Sequence, residues 1–436
     1  MDRELHLRVW RLAGPIVISN ISVPLLGAVD TAVIGHLPEP RFLGGVAVGA
    51  MIFTFIYWGF GFLRMGTGGL TAQAFGGEDA DEVRACLARA AVIGIPAAFL
   101  LIASQSPIAL AAFWIVEATP EVEALAAEYF FVRIWGAPAT LMNFALLGWF
   151  IGVQNTKAAL WHQLVLNGVN IVLDLVFVLG FGWDVAGVAA ATAIADAVAV
   201  LFGLWLALPV LRRLGGAFVK SKILETAKLR RTMALNTDIF MRTICLVSAF
   251  AYFTAKGATF GNVVLAANAV LLNFQTFMAH ALDALAHAAE ALGGRAIGAG
   301  DRQAFSDAVK ASMFWALIVA AGFSVVYLVF GPSIVALLSG IDEVRATAED
   351  YIWWSVAMPM VAVFPFVLDG VFLGATQGRT MRNAMIASLA IYLACCFLLI
   401  PIFGNDGLWA ALLIFMGARG ITLGIRYPRL ERSIGD

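Results

Sequence analysis

Charge is what this sequence has least of. Asp, Glu, Lys and Arg make up 13% of its 436 residues, where a soluble domain carries about a quarter. That is too little to cover a water-facing surface. Cysteine is nearly absent as well. Cys86, Cys245, Cys395 and Cys396 show no metal-ligand spacing, and the adjacent last two lie in an apolar run, as small buried thiols do. The pattern G-x-x-x-x-G-K-[ST] is missing, which excludes a nucleotide-driven pump. So are G-x-S-x-G, H-E-x-x-H and the paired aspartates of a membrane protease, which leaves an intramembrane enzyme without a nucleophile or a metal set. No cleavable leader is read, because MDRELHLRVWR is polar and runs directly into apolar sequence, and no soluble domain is expected on either side of the apolar region. The net charge of −1 singles out no partner class, nucleic acid included.

Hydrophobic length is what the chain has instead. Apolar residues are 61% of the total and arrive in blocks of roughly 20, the length that crosses a bilayer core about 30 Å thick. The alternating ten-residue strands of a membrane barrel are absent. Twelve helical spans are expected, at about 12–36, 42–65, 86–113, 125–151, 158–181, 186–209, 233–255, 262–292, 309–338, 350–373, 383–403 and 407–426. With a cytoplasmic N-terminus, twenty-two Lys and Arg fall in inner segments and three (Arg41, Lys256 and Arg345) in outer loops. Cytoplasmic loops collect the cations, so both termini are expected inside a cell inner membrane.

The longest loop carries seven of those cations and divides the spans six and six. An offset of 222 then superposes the halves: Asp79 falls on Asp301, Glu121 on Glu343, Tyr129 on Tyr351, Gly148 on Gly370, Gly152 on Gly374, and Phe181, Gly182 and Asp184 on Phe403, Gly404 and Asp406. The expected organisation is an N-lobe at 1–210, a basic cytoplasmic loop at 211–232 that contacts inner-leaflet lipid, and a C-lobe at 233–436. Even-numbered repeats share orientation. An all-α polytopic membrane protein of two six-helix bundles, with a V-shaped cleft between them that opens to either side, is transporter architecture.

Ionisable groups at bilayer depth are costly and mark functional candidates. Asp30 lies in GAVDTAVIGH on span one, and Asp174 in NIVLDLVF on span five at similar outer depth, with Asn170 one turn earlier on its face. Two carboxylates at like depth can share a proton or a sodium ion. Asp196 follows Thr192 by four on span six, either as a network member or as a helix-packing hydrogen bonder. Asp238 and Arg242 read as an i, i+4 pair that neutralises itself. Arg64 needs an acceptor that the sequence does not name. Asp283, His287 and Glu290 share a face of span eight, near His280. That face lines a cavity or proton path, or forms an inner gate; no fourth ligand supports a metal site. Asp369 lines the C-lobe or caps a gate. Pro15 and Pro24 interrupt span one, as a static kink or as a hinge that moves Asp30.

The strings NISVPLLGAVDTAVIGHL, GLTAQAFG, NGVNIVLDLVFVLG and LDGVFLGATQGRTMRNAM resemble the multidrug and toxic compound extrusion (MATE) family, and within it the DinF-type branch, over essentially the whole chain. The resemblance implies export of lipophilic organic cations against an inward proton or sodium gradient, without a further cofactor, by what is expected to be a monomer among membrane lipids. It places the N-lobe coupling carboxylates on Asp30 and Asp174, their polar neighbours on Asn170 and Thr192, and the bending proline on Pro15. Where relatives can carry a glutamine two turns before the first aspartate, this chain has Val23, and no C-lobe sodium-site acids can be assigned. Both favour protons, with sodium as the alternative. A lipid-precursor flippase is the further alternative; it needs a strongly cationic cavity, for which Arg64 and Arg242 are few.

Overall fold

In lipid every backbone N–H and C=O must be satisfied within its own segment, so apolar stretches of this length have little choice but helix. The computed structural model describes residues 3–35, 39–116 and 118–435, with only the backbone course given for 23–35 and Pro40. Among the described residues there are helices and turns and no strand. The helices are α1 (Arg3–Gly35), α2 (Pro40–Gly59), α3 (Phe62–Gly76), α4 (Ala80–Ala103), α5 (Gln105–Ile115), α6 (Pro120–Arg133), α7 (Ala137–Gly152), α8 (Thr156–Asp174), α9 (Asp184–Leu214) and the short α10 (Lys220–Ile223). They continue with α11 (Thr226–Ala258), α12 (Asn262–Gly298), α13 (Arg302–Leu338), α14 (Asp342–Asp350), α15 (Ile352–Gly374), α16 (Gly378–Gly424) and α17 (Tyr427–Arg432).

Ten helical stretches are long and apolar enough to cross a membrane. The last of them, 55 residues from Gly378 to Arg432, is about 80 Å of helix at 1.5 Å per residue, far more than one crossing needs. It reverses at Gly404, where φ is 56°. Tyr392 and Phe415 on the two arms pack with ring centroids 5.4 Å apart, so α16 is a hairpin of two spans. With α1, at 33 residues, the expected twelve are accounted for.

Residues 14–232 form one compact unit, and residues 233–435 together with 3–13 form a second. In the second unit Val9 and Ala13 are fully buried, and Trp315 Nε1 donates to His6 Nδ1 at 3.0 Å.

The 222-residue repeat is physical. Gly148 lets α7 approach α3 so closely that a Cβ there would sit 2.1 Å from the Arg64 carbonyl oxygen. Gly370 does the same for α15 on α12, 2.1 Å from the Ala286 oxygen. Residues 64 and 286 are themselves 222 apart. Small residues at such crossings are how membrane helices gain dispersion contact. Left-handed backbone recurs in the same register, at Glu78 and Gly300, Gln154 and Thr376, and Gly182 and Gly404. Asp79 caps α4 by accepting from the Glu82 amide, and Asp301 caps α13 by accepting from Ala304.

Two irregular turns break the regularity in the first unit. A 3-10 turn, Ile134–Gly136, joins α6 to α7, and a turn of π-helix, Leu175–Gly180, follows α8 directly after Asp174. Mid-helix turns of both kinds are often found at functional sites.

Candidate functional site

Along α8 the residues Gln163, Asn167, Asn170 and Asp174 recur at spacings of four, three and four, which puts them on one face. That face is a connected polar seam. Gln163 Nε2 donates to Asn167 Oδ1 at 2.9 Å, and Asn167 Nδ2 donates to Ser22 Oγ of α1 at 2.8 Å. Asn170 and Asp174 are fully buried. With its nitrogen facing the carboxylate, the Asn170 amide donates to Asp174 Oδ2 at 3.2 Å while its oxygen accepts from the Thr192 amide of α9 at 3.2 Å. The structure thus brings together three of the residues singled out from sequence: Asp174, Asn170 and Thr192. The Asp30 side chain lies outside the described residues, as do Val23 and Pro24. Pro15 sits inside α1, one residue past the boundary between the two compact units.

One turn further along α9, Asp196 is the hub of a second network. Its Oδ2 accepts from Arg133 Nη2 at 2.7 Å and from Thr140 Oγ1 at 2.6 Å. Its Oδ1 accepts from Asn143 Nδ2 at 3.1 Å. Asn143 Oδ1 lies 3.0 Å from His162 Nε2; an amide oxygen only accepts, so the imidazole carries its hydrogen there. The Arg133 guanidinium also lies over the Tyr57 and Phe53 rings, at 5.4 and 5.6 Å, which offers a desolvated cation a further attraction. All five polar members are at least nine-tenths buried. Arg133, Thr140, Asn143 and His162 were not singled out from sequence. Arg133 alone carried a signal, as an intramembrane cation; the rest are neutral residues made partners by the packing of α6, α7, α8 and α9.

The second unit holds a different arrangement. Asp369 Oδ2 accepts from Arg419 Nη2 at 2.7 Å and pairs with Arg242 as well, so one carboxylate on α15 ties down α11 and the second arm of α16. This corrects the expectation that Asp238 and Arg242 neutralise each other. Asp238 instead accepts from Arg382 Nη1 at 2.6 Å, because the buried Asp369 takes Arg242, which outweighs the few tenths of a kcal/mol of an i, i+4 pair. His287 Nδ1 lies 2.9 Å from Glu290 Oε2, both buried, where Gly374 crowds the Glu290 carbonyl. Asp283 and His280 are both half-buried on the same helix. Among the described residues no His, Cys, Asp and Glu cluster could hold a metal, and no described side chain pairs with Arg64.

The basic loop folds onto the turn between α3 and α4. Arg84 donates to the carbonyls of Gly215 and Leu211 at 2.7 and 2.5 Å, and the Ala217 amide donates to Asp81 at 2.7 Å. Lys222 Nζ sits 3.0 and 3.2 Å from the two Asp79 oxygens. Partial burial works against the Asp79 charge, but the Glu82 amide and the Lys222 ammonium outweigh it and hold the carboxyl below its usual range. The Asp79 carboxylate in turn raises Lys222.

The sequence model described as MatE matches twice, at residues 15–176 and 239–398. DNA damage-inducible protein F of Escherichia coli (strain K12) is 41% identical over 98% of this chain and 92% of its own length. The probable multidrug resistance protein NorM of Rhizobium meliloti (strain 1021) is 24% identical, covering 98% of this chain and 94% of its own. Among solved structures, the Vibrio cholerae MATE transporter VcmN in its bent form superposes with a TM-score of 0.85 at 19% identity, over 99% of this chain and 98% of that one. A MOP superfamily transporter from Pyrococcus furiosus superposes at 0.84 and 18%, over 98% and 96%.

Proposed function

The chain belongs to the MatE family of membrane transporters, and from that premise we propose that it is a secondary active exporter of lipophilic organic cations, driven by an inward gradient of protons. The observation that supports this reading is the Asp174 site. It is a fully buried carboxylate in a membrane-spanning helix, held by the neutral amide of Asn170 and set at the start of a π turn. Asp196 and Asp369 are buried too, and arginine clamps each of them, which suits an anchor between helices. Asp30, placed on α1 by the resemblance, completes the proposed coupling pair.

The geometry offers a way to read the charge state. An ionised carboxylate only accepts, so Asn170 turns its nitrogen to Asp174 and its oxygen to Thr192. A protonated carboxyl can donate, which favours the opposite orientation, with Asn170 Nδ2 donating to Thr192 Oγ1 at 3.2 Å. Rotating one amide exchanges the hydrogen bonds between α8 and α9. The π turn beyond Asp174 and Pro15 of α1 are the places where that exchange becomes a change of helix course. Substrate then leaves by alternating access, with both termini cytoplasmic in an inner membrane, a placement that the loop charges support.

Everted membrane vesicles supplied with a fluorescent lipophilic cation in the outer medium test this, with proton and sodium gradients imposed separately. The expected result is uptake under the proton gradient that falls to the vesicle background in Asp174→Asn. Uptake under sodium alone would replace the proton by sodium. Uptake under neither gradient would overturn the substrate class.

A further inference from the structure

Where the two arms of α16 meet near their inner ends there is a cavity of about 340 Å³, about ten times the volume that a water occupies in the liquid. Arg379 and Thr380 border it from the first arm, with Asn383 one turn on; Thr422, Ile425 and Arg426 border it from the far end of the second. No lining residue is acidic. Neither Arg379 nor Arg426 has a carboxylate partner among the described residues. The acid nearby in the fold, Asp238, is engaged by Arg382, whose Nε and Nη2 also donate to Asn383 Oδ1 at 3.1 and 3.0 Å. That leaves the NH₂ end of Asn383 for a ligand. The concavity therefore presents two guanidinium groups and an amide donor with no counter-charge of its own.

Its walls then turn apolar. Two alanines complete the lining, and Ile386, Ile421 and Ile425 on the same arms are 44%, 64% and 71% exposed. On a helix pair that crosses a membrane, an exposed isoleucine faces lipid tails. The geometry points to a binding site for an anionic phospholipid of the inner leaflet, its phosphate bridged by Arg379 and Arg426 and its acyl chains lying along Ile386, Ile421 and Ile425. Guanidinium is the side chain best shaped for phosphate, because its fork donates two parallel hydrogen bonds. The loop charges place both arginines on the cytoplasmic side, where anionic lipid concentrates its negative potential. The site stands apart from the proposed coupling residues and does not depend on the transported substrate.

The test uses the full-length protein in neutral detergent, titrated with short-chain phosphatidylglycerol, short-chain phosphatidylcholine or inorganic phosphate while its melting temperature is followed. Phosphatidylglycerol should raise the melting temperature of the wild type, and the other two should not. In the R379A/R426A protein the unliganded melting temperature should stay put, since both side chains are exposed, while affinity for phosphatidylglycerol falls about thirty-fold, a factor of about five per cation. R379K/R426K keeps the charge, loses the fork and should fall in between; it carries the test if the alanine pair does not fold. R212A/R213A removes two exposed cations elsewhere on the inner side and should respond as wild type. A wild-type response in R379A/R426A, an equal loss in R212A/R213A, or an equal shift with inorganic phosphate would each overturn the assignment.

Discussion

Among the described residues, four buried acids have different surroundings, and these set what each can do. Asp196 and Asp369 sit in guanidinium clamps, Glu290 beside His287, and Asp174 against Asn170. Removing one member of a buried ion pair strands the other in low dielectric, at a cost of about 3–5 kcal/mol. Arg133→Ala should therefore lower thermal stability sharply, and Arg133→Met with Asp196→Leu should recover most of the loss in a melting experiment. Asp174→Asn replaces a carboxylate by an amide of the same shape; it should melt within a few degrees of wild type and fail only in gradient-driven uptake. If Asp174→Asn unfolds as Arg133→Ala does, Asp174 is an anchor and not a coupling residue. Carboxylates were legible in the sequence as intramembrane charges. Their standing was not, because the partners are far apart in the chain: Arg133 and Asp196 by 63 residues, and Asp369 from its two arginines by 127 and 50.

Helices, at the next scale, are held together by how closely their backbones approach. Gly148 and Gly370 bring α7 onto α3 and α15 onto α12 with no room for a methyl group. Their obstacle is a backbone oxygen, which cannot swing aside as a side chain can. Gly148→Ala and Gly370→Ala should each cost about 1–3 kcal/mol by forcing the pair apart. Gly168, on α8, has nothing within 4 Å of a Cβ, so Gly168→Ala should be neutral or stabilising by up to about 1 kcal/mol. A melting comparison of the three checks the assignment. The sequence offset of 222 already paired Gly148 with Gly370. It could not say what they touch, since the opposing carbonyls of Arg64 and Ala286 belong to helices whose crossing only the fold sets. The π turn after Asp174 was equally hidden: Leu175–Gly180 is plain apolar sequence, and the widened turn arises from packing.

At the scale of the whole molecule, the segment linking the halves is a docked element rather than a free loop. Asp79 is held below its ordinary range, so its contribution is present above an unfolded pKa of about 3.9 and is lost as pH falls through the lower folded value. Lys222 is raised, so its contribution is present below about 10.4 and is lost as pH rises through the higher folded value. The loop should stay docked between roughly pH 4 and 10 and loosen beyond either end. Hydrogen exchange at the Ala217 amide, corrected for the intrinsic effect of pH, reads this directly. Fast exchange at neutral pH would show that the contact does not hold the loop. High salt should speed exchange at any pH, because exposed pairs are screened.

What the sequence by itself determined is whatever depends on local composition and period. Twelve spans, their helical nature, the duplication and the family follow from apolar length, from the backbone's need for hydrogen bonds in lipid, and from motifs read in order. So does the face of α8 that joins Asn170 to Asp174, because four residues make one turn. Tertiary structure alone decided which charges are neutral, which helices touch at glycine, and where the chain leaves the regular α-helix. Those depend on distances of a few ångströms between segments tens or hundreds of residues apart. Electrostatic and packing energies fall steeply with such distances, while the sequence records only the order of its residues.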